Sequence, residues 1–141
     1  MREYTDASNW KGGLIRLLVS KEISGFALID TTGVVVFGYG DLVDGFMIRP
    51  DSTAAVSEKL ELEKNEILSA LQMENTPSAL SIRGRKMVVV RRESAMLYAV
   101  GEGKQCSVSL HNMYAGVLVV TYGPRYPPAL DAVLHVLQRS Y

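Results

Sequence analysis

The sequence predicts an α+β domain, one antiparallel sheet with helices packed on it. Three observations carry that prediction. Apolar residues recur at helical spacing near both ends of the chain: Trp10, Leu14, Leu17 and Leu18 at one, and Leu130, Val133, Leu134 and Leu137 at the other. Short β-rich runs lie between them, separated by turns rich in glycine and polar residues. The order of elements is helix, two strands, helix, a run of strands and a last helix, with no internal repeat.

Taken in order, Ser8 and Asn9 are good N-cap residues and set the expected start of the first helix. Gly12-Gly13 weakens that helix by about 1 kcal/mol per glycine relative to alanine, so close packing must support it. Phe26–Ile29 and Val34–Phe37 read as strands, and Asp30-Thr31-Thr32-Gly33 as the hairpin turn that makes them antiparallel. From Gly38 to Lys59 the pattern weakens into a long surface excursion. It carries an apolar island, Phe46-Met47-Ile48, and a helical turn around Ala54-Ala55-Val56. Asn65–Gln72 reads as a short helix with Ile67, Leu68 and Leu71 on one side, ended by Thr76-Pro77-Ser78. Five strands follow: Leu80–Ile82, Met87–Arg91, Leu97–Val100, Ser107–Leu110 and Val117–Tyr122. Arg83-Gly84-Arg85, Glu93-Ser94 and Gly101-Glu102-Gly103 mark turns among them. Pro127-Pro128 opens the last helix, where proline suits the first turn.

The bulk numbers bound the function. A chain of 141 residues, 48% apolar, is long enough for one core and is expected to form a single domain over 1–141. Fifteen basic residues balance fifteen acidic ones, which argues against a general nucleic-acid footprint. Cys106 is the only cysteine, so no internal disulfide forms, and it reads as a small buried hydrophobe. The first residues lack the apolar core of a signal peptide, and no run approaches the ~20 apolar residues of a spanning helix. A cytoplasmic location is the expectation. His111 and His135 are the only histidines and sit at no metal-binding spacing. There is no nucleophile elbow, P-loop or zincin helix, so the chain reads as a binding protein with no cofactor, not an enzyme.

Several segments together resemble the profilin family. Trp10, Ile23, the Gly33 turn and Phe37 fall at the spacing of that family's first helix and hairpin. Leu60-Glu61-Leu62-Glu63-Lys64-Asn65-Glu66-Ile67 is similar to its entry into the second helix. Ile82-Arg83-Gly84-Arg85-Lys86-Met87-Val88-Val89-Val90-Arg91 is similar to its I-x-G-x-K-x-x-x-x-R hairpin, and Tyr98 follows at the family spacing. His135-Val136-Leu137-Gln138-Arg139-Ser140-Tyr141 resembles its terminal helix with an aromatic ending. The resemblance spans nearly the whole chain and rests on the order of motifs that are individually weak.

The resemblance implies a profilin-like sheet with the N- and C-terminal helices on one face and a short helix on the other. It implies a monomeric, cytoskeleton-associated regulator of actin polymerisation that binds monomeric actin through Lys86, Val89, Arg91 and Tyr98. It further implies a groove for proline-rich segments walled by Trp10, Phe37, His135 and Tyr141. A polyproline II segment is already extended and loses little entropy when its rings pack on aromatic faces. Core packing explains Trp10 and Phe37 as well, and a solvated strand face explains Lys86 and Arg91. Phosphoinositide binding is implied through Arg83, Arg85 and Arg92, although an alternating strand divides the basic cluster between two faces.

The chain also departs from the family. Phe37 stands where a second tryptophan is usual, Gly13 where many members carry tyrosine, and His111-Asn112-Met113-Tyr114 where a lysine-threonine pair is typical. The approach to the last helix is short, and the insertion at about 38–59 has no counterpart of that length. A weakened or altered proline groove and a changed actin geometry are therefore expected. A rival resemblance is to roadblock/longin modules, dimeric scaffolds for small GTPases, carried by Gly25-Phe26-Ala27-Leu28-Ile29-Asp30 and Gly33.

Overall fold

The structure is a computed structural model that describes residues 2–40, 42, 62, 65–70, 78–82, 85–93, 95–101, 106–123 and 126–139. Helix α1 (Arg2–Val19) leads into strands β1 (Gly25–Asp30) and β2 (Val35–Gly40). A short helical stretch at 65–70 (α2) precedes β3 (Ala79–Ile82), β4 (Arg85–Glu93), β5 (Met96–Gly101), β6 (Ser107–Met113) and β7 (Gly116–Tyr122). Helix α3 (Tyr126–Arg139) closes the chain's path. The strands form one antiparallel sheet in the order β2-β1-β7-β6-β5-β4-β3.

The expected helices and strands are present, with two corrections, and the helical turn expected around Ala54-Ala55-Val56 lies outside the described residues. Helix α1 begins at Arg2, so Ser8 and Asn9 lie inside it and do not mark its start. Their interior penalty is only a few tenths of a kcal/mol each, too small to stop a helix whose apolar face is packed. Strand β2 runs on to Gly40, so Gly38 does not open the expected excursion. Gly38 and Gly40 look like loop punctuation, but they pair in register with Ala27 and Gly25. At Gly40, with φ +66°, a Cβ would collide with the Ser24 carbonyl and come 2.8 Å from Gly25 Cα; the strand end needs a glycine. Beyond Gly40, the expected 38–59 insertion is described only at Leu42, which is buried, and Phe46-Met47-Ile48 lie outside the described residues.

The β1–β2 turn is fixed by Asp30. Its Oδ1 accepts hydrogen bonds from Thr32 Oγ1 (2.6 Å), Thr32 N (2.8 Å) and Val34 N (3.0 Å). Those donors, Thr32 first, hold its carboxyl below the usual range. Gly33 takes φ +91° within the turn.

Alternation along the strands sorts the core into two layers. One holds Ala27, Ile29, Leu80, Met87, Leu97, Ala99, Val108, Leu110, Val117 and Val119, under Ile67 and Ala70 of α2 and Leu42. The other holds Phe26, Leu28, Met96, Tyr98, Leu118, Val120 and Tyr122, under Trp10 and Leu14 of α1 and Ala129, Leu130, Val133 and Leu137 of α3. The terminal helices therefore share one face and α2 lies on the other. At Gly13 an added Cβ would sit 2.7 Å from Val136 Cγ1, so this glycine lets α1 and α3 approach closely. No helix among the described residues is long and apolar enough to cross a membrane.

Candidate functional site

Two bulges decide which side chains reach the helix-side face. In β2 the register shifts so that Val35 opposes Ile29 while Phe37 opposes Leu28. Val35 thus packs on the α2 side, Phe37 turns toward Trp10, and the extra residue Val36 is left exposed. In β4 Val89 opposes Ala99 and Arg91 opposes Tyr98, leaving Val90 as the extra residue.

The first bulge assembles an aromatic cluster. Trp10 and Phe37 have ring centroids 6.0 Å apart, and Phe26 meets Phe37 edge-on at 6.0 Å. Tyr39, two residues beyond Phe37 on the same face, stacks on Phe26 at 5.0 Å and lies 5.7 Å from Phe37. Lys11 Nζ sits over the rings of Phe37 and Tyr39, 4.6 and 5.3 Å from their centroids. Trp10 is only 4% exposed, while Phe37 and Tyr39 are half-buried and form the accessible part of the patch. Of the expected groove walls, Trp10 and Phe37 come together. His135 is exposed on α3, next to the Val136 that faces Gly13, and Tyr141 lies outside the described residues. Tyr39 and Lys11 were not expected. The Phe37-Gly38-Tyr39 alternation signals the first once the strand is carried past Gly38.

The second bulge shapes the opposite end of the same face. Lys86, Val88 and Arg91 point to the helix side, but neither β3 nor β4 contributes to the core beneath α1 and α3 among the described residues. Val88 and Val90 are 53% and 59% exposed, and Lys86 and Arg91 are exposed beside them. Arg91 is paired with Glu93, its Nε donating to Oε2 at 2.6 Å.

The four residues expected to meet actin do not share this surface. Val89 is half-buried on the α2 side. Tyr98 is 5% exposed, its ring edge-on to Tyr122 at 6.1 Å, so it belongs to the core instead of an accessible surface. Of the cations expected to meet phosphoinositide, Arg83 lies outside the described residues and Arg85 is described only as the first residue of β4. Arg92 opposes Leu97 on the α2 side, with Nη1 3.5 Å from the Met96 carbonyl oxygen. The expected division of the basic cluster between two faces holds for Lys86 and Arg91 against Arg92.

Beneath the helices lies a polar strip that spacing and composition did not predict. Ser107, Ser109 and His111, successive inward positions of β6, are all buried. Ser109 Oγ lies 2.7 Å from His111 Nε2 and 2.5 Å from Tyr122 Oη. Burial holds the imidazole at about 4, and burial likewise pushes the Tyr122 phenol up. The tautomer of the neutral His111 sets the direction of the chain: with Nε2 as acceptor, Ser109 donates to it and Tyr122 donates to Ser109. Buried and hydrogen-bonded to one another, the three side chains form a network within the core, and no cluster of metal-binding side chains occurs among the described residues.

An antiparallel seven-stranded sheet, with its terminal helices together on one face and a short helix on the other, defines the class of fold. That fold is the profilin fold. The chain superposes on LokiProfilin1, solved in complex with rabbit actin, with a TM-score of 0.62 at 16% identity, covering 94% of this chain and 92% of that one. LokiProfilin2, also solved with rabbit actin, gives 0.61 at 19% identity, covering 92% of each chain. Mouse profilin IIa, solved with a double repeat from the FH1 domain of mDia1, gives 0.53 at 10% identity, covering 94% of this chain and 99% of that one. No protein-family model and no curated protein matches the sequence.

Proposed function

We propose that this chain is an actin-monomer-binding protein that regulates actin polymerisation, acting by binding and not by catalysis. One observation carries the reading: on the helix-side face the terminal helices leave β4 uncovered. Lys86, Val88, Val90 and Arg91 form an exposed strip of apolar and cationic side chains there. Exposed valines flanked by cations suit a protein partner better than solvent alone. The profilin fold, and the solution of LokiProfilin1 and LokiProfilin2 with rabbit actin, support actin as that partner. Lys86 and Arg91 steer an acidic surface, and Val88 and Val90 supply the area that desolvates on contact. The protein acts in the cytoplasm as a monomer.

Titration with monomeric actin at low salt tests this. Saturable binding is expected, weakened about tenfold by Lys86→Glu. A folded, monomeric protein that does not bind actin would sink the reading, and a stable dimer would turn attention to the GTPase-scaffold alternative.

The aromatic patch of Trp10, Phe37 and Tyr39 favours a second ligand for the same protein, a proline-rich segment stacked on the accessible ring faces. The groove is altered. Gly13 brings Val136 close where a side chain would otherwise widen the wall, and Trp10 is almost wholly covered. Phosphoinositide head groups compete with actin for Lys86 and Arg91, a competition measurable by vesicle co-sedimentation with and without actin.

A further inference from the structure

The aromatic patch carries a charge at its centre. Lys11 Nζ lies over both accessible rings, 4.6 Å from the Phe37 centroid and 5.3 Å from that of Tyr39. These are cation–π distances, and the ammonium covers the faces on which a ligand ring would stack. No carboxylate among the described residues pairs with Lys11. Its stem is half-buried on α1 beside Trp10, which limits how far the ammonium can swing away. The patch is therefore occupied by the chain's own cation, and among the described residues that cation has no anionic partner.

We infer that Lys11 is a cationic gate that makes the groove selective for proline-rich segments bearing carboxylates. This rests on the reading of the patch as a proline-rich-segment site. A neutral proline run must displace the ammonium from the rings and gives it nothing in return except water. A segment with glutamate or aspartate beside its prolines offers the displaced ammonium a salt bridge at the rim, where prolines exclude part of the solvent. A segment with lysine in the same place adds repulsion to the displacement. The order of affinity follows from charge complementarity: acidic over neutral over basic.

Three synthetic peptides test the gate: a run of prolines alone, the same run interrupted by glutamates, and the same run interrupted by lysines. Trp10 is the single tryptophan of the chain, so its emission reports this patch. At low salt the wild-type chain is expected to bind in the order glutamate, neutral, lysine, with steps of about threefold that shrink as salt is added. Lys11→Met keeps an apolar stem over the rings without the charge. It is expected to bind the neutral peptide about threefold tighter than wild type and to lose the order. Lys11→Arg keeps the charge and the order. An order that persists in Lys11→Met, or no order in the wild type, overturns the gate while leaving the groove standing. If no peptide binds wild type or Lys11→Met, the groove reading and the gate fall together.

Discussion

On the α2 side of the sheet the buried residues are aliphatic or methionine, and the one buried hydroxyl from the strands, Thr121, reaches the Gly25 carbonyl at 3.4 Å. On the side of the terminal helices the same strands present Phe26, Tyr98 and Tyr122 with Ser107, Ser109 and His111. Aliphatic packing is tolerant in composition and strong per residue. A polar, aromatic layer demands that each donor find its acceptor. The Ser107 hydroxyl, buried without a hydrogen-bond partner among the described residues, shows that the second layer is the less fully satisfied. Both candidate surfaces also lie on that second face, the aromatic patch at β2 and the uncovered strip at β4. One layer is largely aliphatic, and the other also carries both candidate surfaces.

Truncating a fully buried residue of the aliphatic layer is the largest test of that division. Leu97→Ala is expected to lose about 2–5 kcal/mol by denaturant unfolding, the transfer and cavity cost of truncating a fully buried leucine. Actin affinity per folded molecule is expected to stay unchanged. A loss of affinity without a matching loss of stability would break the comparison.

The polar layer is expected to respond to acid. In the unfolded chain an imidazole titrates near 6.5, whereas folded His111 is held at about 4 by burial. Between those values the unfolded state binds the proton first, so stability falls as pH drops through this window and is highest above it. The full contribution is on the order of 3 kcal/mol, gone once pH falls below the folded value. Carboxylates titrate in part of the same range, so the measurable quantity is the difference between wild type and His111→Leu. That variant is expected to show a shallower loss between pH 6.5 and 4. Identical pH slopes would mean that the imidazole reaches water in the folded state. A smaller effect is expected from Ser109→Ala. It removes the hydroxyl linking Tyr122 to His111 and lowers stability by about 1–3 kcal/mol, read from the same unfolding curves.

The aliphatic layer was the more legible of the two in the sequence. Its residues lie in short β-rich apolar runs such as Leu97–Val100 and Val117–Tyr122, and their length, composition and bounding turns identify strands. Helix placement on the two faces followed from the resemblance and is what the fold shows. The site was harder to read because both halves of it depend on bulges. A one-residue insertion reverses which side chains share a face, and strict alternation carries no sign of where it falls. The grouping of Val89 with Lys86 and Arg91 followed the resemblance; alternation alone would pair Val89 with Arg91, and the bulge at Val90 is what parts them. Tyr98 was misplaced for another reason: spacing locates a residue along a strand but does not say whether a helix covers it. Tyr39 was hidden behind Gly38, read as loop punctuation where the backbone continues as strand.

The smallest stability effect makes the sharpest test of the β4 strip. Val88→Ser and Val90→Ser replace side chains more than half exposed, one in the ladder and one at the bulge. With little apolar area to return to water, each is expected to leave unfolding stability within about 0.5 kcal/mol of wild type. Both are expected to weaken actin binding several-fold, because at an interface the same methyl groups leave water on association. The pattern is the reverse of Leu97→Ala, with affinity moving and stability still. If affinity is unmoved while Lys86→Glu still weakens it, the strip contributes charge alone and the valines lie outside the contact. If stability instead falls by more than about 1 kcal/mol, the valines pack against another part of this chain and the strip is not open to a partner.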